Sequence, residues 1–130
     1  GRMKDFNVVK VDSKGRIIVP YHIRDYLGLD EGTELIVTNY EQKELRIFPL
    51  LKGTASIDVL MTDAPGSLAK LLDAVSRNKA EILMSISKTI ERGKLAEWNA
   101  ILDISKSKRK KLENEIKKLS VVKKVHIEEK

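Results

Sequence analysis

Residues 10–28, KVDSKGRIIVPYHIRDYLG, decide how this chain is read. Val11 with Ile17, Ile18 and Val19 sets a β-rich apolar pattern around a polar turn, Asp12-Ser13-Lys14-Gly15. Gly15 supplies the positive φ that such a turn needs. Pro20 stops the second strand and suits the first turn of a helix, where its missing N–H costs nothing. That helix carries Ile23 and Leu27 on one stripe and ends at Gly28, suited to a left-handed C-terminal position. Arg16 lies just past the turn and Arg24 about one turn into the helix, so two permanent cations flank an apolar unit.

Working outward, Phe6–Asp12 reads as a first strand and Arg16–Val19 as a second, with Leu29-Asp30-Glu31-Gly32 as a turn after the helix. Thr33–Tyr40 and Glu44–Phe48 then read as a hairpin, with Leu35, Val37, Leu45 and Ile47 on one side. Strands with apolar residues on both faces, such as Val8-Val9 and Ile17-Ile18-Val19, need cover on both sides. About fifty residues bury too little surface to supply it alone. The expectation is an obligate homodimer with interleaved strands.

At this point the residues carry a resemblance. VDSKGRIIVPYHIRDYLGLDEGTELIV resembles the N-terminal domain of the AbrB/SpoVT/MazE-type transcription regulators, the swapped-hairpin barrel family. The matching features are Asp12, the Gly15-Arg16 pair, the apolar run into Pro20, Ile23-Arg24, Leu27-Gly28 and the Glu31-Gly32 turn, within about Asn7–Pro49. The resemblance implies a barrel made by two chains and a function in binding double-stranded DNA. It also implies DNA contacts from basic residues at the end of the first strand, after the glycine and in the short helix: Lys10, Arg16 and Arg24. Lys14 joins them from the turn itself. Arginine can hold a phosphate or a guanine edge bidentately, and lysine acts as a point charge to the backbone. Val9 and Asp25 stand where some relatives have further arginines, so this face is less basic. The competing reading of Arg16 and Arg24 is a solvated surface pair, or ion pairs with Asp12 and Asp25 inside the dimer.

The second half starts a new pattern. Ala55–Met61 alternates with Ile57, Val59 and Met61 on one face, and Thr62-Asp63-Ala64-Pro65-Gly66 is a loop. Ser67–Asn78 reads as a helix with the stripe Leu68, Leu71, Leu72 and Val75. Glu81–Ile90 reads as a strand with Ile82, Met84 and Ile86 inward, and Glu91-Arg92-Gly93-Lys94 turns it back into Leu95–Ile104. Ser107–Leu119 is a second helix on Leu112, Ile116 and Leu119, and Val121–Ile127 closes as a last strand. The order β-α-β-β-α-β is the ferredoxin-like split unit, with both helices on one sheet face. The expected fold class is therefore α+β: a swapped-hairpin β-barrel over residues 1–50, a linker over 51–54 and a ferredoxin-like domain over 55–130.

That order, with Asp63-Ala64-Pro65-Gly66-Ser67-Leu68, resembles an ACT domain, a regulatory module that commonly binds amino acids at a dimer interface. The resemblance implies an effector held by Asp63, Ala64, Pro65, Gly66, Ser67 and Leu68, and a pairing that could turn dimers into tetramers. Pro65 and Gly66 keep the loop tight and bare, so free N–H groups opening the helix can meet a carboxylate. The competing reading is a plain helix-start turn in a domain that only dimerises.

Composition sets the outer bounds. The 130 residues carry a net charge of +6, with 42% apolar and 34% charged residues and no cysteine. A basic balance favours a polyanion partner. Residues 1–52 hold nine Lys/Arg against eight Asp/Glu, whereas residues 53–130 hold sixteen against eleven, so the excess lies outside the expected DNA-binding half. The run Lys106-Ser107-Lys108-Arg109-Lys110-Lys111 opens a helix, where cations oppose the macrodipole, and reads as a solvated face. The absence of cysteine excludes disulfides and thiolate metal sites, and lone His22 and His126 do not make a metal site. Trp98 and Met84 read as core. No membrane-length apolar run, signal-peptide pattern, nucleophile–base set or phosphate loop is present. The expectation is a cytoplasmic, non-enzymatic regulator without a cofactor beyond an amino-acid effector. The alternatives are the antitoxin of a toxin–antitoxin pair, or a regulatory subunit in which the barrel only assembles chains.

Overall fold

Pro20 sets the geometry of the first element. The computed structural model describes residues 6–130, which divide into two compact units between Pro49 and Leu50. In the first unit, the carbonyl of Pro20 accepts the N–H groups of Ile23 and Arg24 at 3.0 and 3.1 Å, starting α1 (Tyr21–Leu27). Gly28 ends it at φ 69° and ψ 36°. The Leu29 N–H reaches back to the Arg24 carbonyl at 2.8 Å, so the last carbonyls are satisfied by a left-handed cap. No residue of α1 is buried.

The strands expected over Phe6–Asp12 and Arg16–Val19 are corrected here: neither segment is a strand of a sheet. A single backbone bond across the turn, Asp12 N–H to the Arg16 carbonyl at 2.9 Å, joins them. The physical reason is want of cover. Val8 is 83% exposed and Ile18 77%, and two short strands with apolar groups on both faces are not stable alone.

The hairpin expected next does form. β1 (Leu35–Tyr40) pairs antiparallel with β2 (Glu44–Pro49), with Val37 opposite Ile47 and Asn39 opposite Leu45. Leu35, Val37, Leu45 and Ile47 therefore share one face, and that face stays open, with Val37 59% and Leu45 62% exposed.

The second unit builds its own core. β3 (Thr54–Met61), α2 (Ser67–Arg77), β4 (Glu81–Glu91), β5 (Leu95–Asp103), α3 (Arg109–Lys118) and β6 (Val122–Glu129) follow in order. The four strands are antiparallel and lie in the order β4-β5-β3-β6. Ile57 and Val59 of β3, Trp98 and Leu102 of β5, Leu71 and Val75 of α2, and Leu112 and Ile116 of α3 are all buried in one cluster. Both helices thus cover the same sheet face, and each large apolar side chain buried there stabilises by about 1.5–3 kcal/mol. Residues 51–54 form the turn that feeds β3: the Thr54 hydroxyl donates to the Leu51 carbonyl at 2.6 Å, and the Ile104 N–H donates to the Gly53 carbonyl at 2.7 Å. Gly53 has φ +94°, and a Cβ there would lie 3.2 Å from that of Ser105.

Two inward assignments, Met84 and Ile86, are corrected, and with them the reading of Met84 as core. Ile82 lies opposite Leu102, but the register slips between Ile82 and Met84, which puts Met84 opposite Ile101 and Ile86 opposite Asn99. A one-residue bulge reverses the facing of everything beyond it. Met84 and Ile86 accordingly lie on the face away from the helices, and Ile86 is 47% exposed.

Candidate nucleic-acid interface

The turn between the two N-terminal segments is built on one carboxylate. Asp12 Oδ1 accepts the backbone N–H groups of Lys14 and Arg16 at 2.8 and 2.9 Å, while its Oδ2 accepts Arg16 Nε at 2.8 Å. The Gly15 N–H closes the turn on the Asp12 carbonyl at 3.0 Å, with Gly15 at φ 77°. The Arg16 N–H, then its guanidinium, and then the Lys14 N–H hold the Asp12 carboxyl below its ordinary range. An aspartate before a tight turn commonly bonds the backbone two residues on, and that sequence signal was available.

This geometry displays two of the four expected DNA contacts together. Lys14 and Arg16 both project from the turn into solvent, with Arg16 anchored by its ε-edge to Asp12. The anchored edge leaves the terminal guanidinium nitrogens to meet a ligand. Lys10 is exposed on the segment before the turn. Arg24 is positioned separately on α1, where its Nε donates to the Val19 carbonyl at 3.0 Å and its guanidinium lies 5.4 Å from the centre of the Tyr21 ring. Within the single chain Arg16 pairs with Asp12, whereas Arg24 uses backbone and ring. At the far end, Asn7 Nδ2 and His22 Nε2 lie 3.4 Å apart, connecting the first segment to the helix.

In the second unit, Asp63, Ala64, Ser67 and Leu68 line a small open pocket of about 140 Å³ together with Thr62, Ser87 and Lys88. Pro65 and Gly66 form the turn that starts α2, with Gly66 at φ 86°. The Ser67 N–H donates to the Ala64 carbonyl at 3.1 Å, and the Ser67 and Thr62 hydroxyls are 2.9 Å apart. The Leu68 and Ala69 amides have no acceptor among the described residues. Asp63 also braces the loop: its Oδ2 accepts the Gly93 N–H at 2.7 Å and ties the loop to the β4–β5 turn. Lys88 is similarly engaged, with Nζ 3.6 Å from Glu97.

Among the described residues no group of three or more His, Asp or Glu side chains is placed to hold a metal ion. No helix among them is long and apolar enough to cross a membrane.

Comparison with known proteins bears on the first unit. Residues 8–53 match the family model described as antidote-toxin recognition MazE, bacterial antitoxin. The match takes in the braced turn, α1 and the hairpin, and it supports the MazE/AbrB-type reading of the N-terminal part. No curated protein matches the chain.

Proposed function

We propose, from the MazE-type match over residues 8–53, that the chain is a homodimeric DNA-binding transcription regulator. The observation that carries this reading is the Asp12-braced turn, which holds Lys14 and Arg16 together on an exposed loop. The open apolar faces of the same unit support the dimer. Val8, Ile18, Val37 and Leu45 are exposed in one chain, and a second copy offers the missing cover. Two-fold pairing doubles each contact and favours a roughly palindromic site. The test is fluorescence anisotropy across a salt series, with the gene's own upstream duplex and a scrambled one. A steep salt slope, preference for the upstream duplex, and loss of that preference in Arg16→Ala/Arg24→Ala at unchanged oligomeric state are the expected results.

We read the second unit as a ferredoxin-like, ACT-like sensor. Its strand order β4-β5-β3-β6 and the pocket beside the start of α2 support that reading. An amino-acid carboxylate would meet the Leu68 and Ala69 amides, with Asp63 acting as a loop tie. The effector would act only through different affinities for two arrangements of the chain. A full amino-acid panel that alters neither thermal stability, assembly nor DNA affinity would end this part of the reading.

The family description favours a second reading, an antitoxin, to the same degree over the matched residues. An antitoxin would present a toxin-binding segment beyond its DNA-binding unit, whereas residues 50–130 here fold on a core of their own. Stoichiometric co-purification of a small toxin would decide for the antitoxin.

A further inference from the structure

The basic run over residues 106–111 does not stand alone in the fold. It converges with the end of α2, so that Arg77, Asn78, Lys79, Lys106, Lys108 and Lys111 line one open depression of about 220 Å³. Five of these six residues are cations. The nearby carboxylates are committed to one side: Arg77 Nε lies 2.8 Å from Asp73 Oδ2, Arg77 also lies 3.8 Å from Glu115, and Asn78 Nδ2 donates to Glu115 and to the Ala74 carbonyl. Lys106 has Asp103 within electrostatic reach. Lys79, Lys108 and Lys111 have no ion-pair partner among the described residues.

The like charges repel one another, which makes this concentration costly for the chain by itself; the backbone strain at Lys79 is a separate cost. Lys79 adopts φ 61°, the left-handed position after a helix end that glycine or asparagine fills with least strain. Lys108 is the residue before α3 and Lys111 lies in its first turn, where positive charge opposes the positive end of the helix. An anion seated between these ammonium groups offsets both the mutual repulsion and the opposed dipole. The depression has no aromatic ring to stack a base, and its one amide, Asn78, is already bonded. Lysines on flexible stems in an open depression match phosphate oxygens repeated along a strand, contacted as point charges without base reading.

We infer that this depression binds the phosphodiester backbone of nucleic acid, giving the second unit a sequence-independent contact of its own. The inference rests on the regulator reading for the presence of DNA, but uses none of its N-terminal residues.

The experiment compares the full chain with Lys79→Gln/Lys108→Gln/Lys111→Gln, with Arg16→Ala/Arg24→Ala, and with the two sets combined. Binding to the upstream and scrambled duplexes is followed over a salt series, with circular dichroism confirming the fold. Removing three phosphate contacts should lower the log–log salt slope by about 2–3 and weaken both duplexes alike by about tenfold, leaving their ratio unchanged. A lysine variant with wild-type slope and affinity overturns the inference, whatever the arginine variant does. An arginine variant that keeps the preference for the upstream duplex instead overturns the regulator reading, and the lysine result still stands. Calorimetry with inorganic pyrophosphate separates the two sources of phosphate. Saturable pyrophosphate binding that the lysine variant loses, with duplex binding unchanged, overturns the nucleic-acid assignment in favour of a small phosphorylated ligand.

Discussion

Asp12 and Arg16 hold each other through both backbone and side chain: one carboxylate oxygen takes the Arg16 N–H at 2.9 Å and the other takes its Nε at 2.8 Å. The arginine proposed to meet DNA is therefore pre-aimed by a residue that would itself repel phosphate. Pre-organisation of this kind reduces the ordering cost of binding. Asp12→Ala should weaken DNA binding despite removing a negative charge, and anisotropy at fixed salt checks the sign.

The same pair gives a pH dependence. The Asp12 carboxyl is held below its ordinary value of 3.8, first by the Arg16 N–H and then by the guanidinium. A carboxylate depressed in the folded state contributes order that is fully present above its unfolded value and is lost as pH falls through the folded value. An NMR titration should show the Asp12 carboxyl with a midpoint below that of an ordinary aspartate. The amide signals of Lys14 and Arg16 should move with it, and in Asp12→Asn that coupled movement should vanish.

Oligomeric state should depend on the open hairpin face. Val37 lies opposite Ile47 there, and both are exposed in the single chain. Covering a valine side chain is worth about 1.5 kcal/mol or more, about tenfold in an equilibrium constant. Val37→Asp should weaken dimerisation by at least that factor in sedimentation equilibrium and leave the second unit folded.

The second unit should melt on its own terms. Leu112 is fully buried in the cluster that contains Trp98, the single tryptophan. Leu112→Ala should cost about 2–5 kcal/mol. Denaturant unfolding followed by Trp98 fluorescence reads this directly, and a loss under 1 kcal/mol would contradict the packing described.

Lys79 sets stability against binding. Lys79→Gly relieves a left-handed lysine and should raise the stability of the second unit by about 1 kcal/mol. The same change should weaken nucleic-acid binding at low salt, so one variant is expected to move the melting temperature and the affinity in opposite directions.

The parts of the fold legible in the sequence are those whose partners lie in the same chain. The alternation Ile57, Val59, Met61 and the stripe Leu71, Val75 meet each other in one core, so pattern alone locates them. Val8 and Ile18 carry an equally clear β pattern, yet both are exposed and their segments join no sheet. The bulge in β4 is hidden because Ile82, Leu83 and Met84 are apolar in succession, and such a run fits either register. At the candidate interface, Arg16 and its turn could be read from Asp12 and Gly15. The basic depression could not, since Lys79 and Lys108 are brought together only by the packing of α2 against α3.

The slips in β4 have a consequence for the outer edge of the sheet. β4 is an outer strand of the second unit, eleven residues long, with Leu83, Ile86 and Ile90 exposed along it. A straight apolar edge of that length would invite another chain to add a strand. Two register breaks, at Ile82/Met84 and Thr89/Glu91, interrupt the even row of N–H and C=O groups that such a chain would need. The irregular backbone thus presents a poorer template for strand addition than an even edge would.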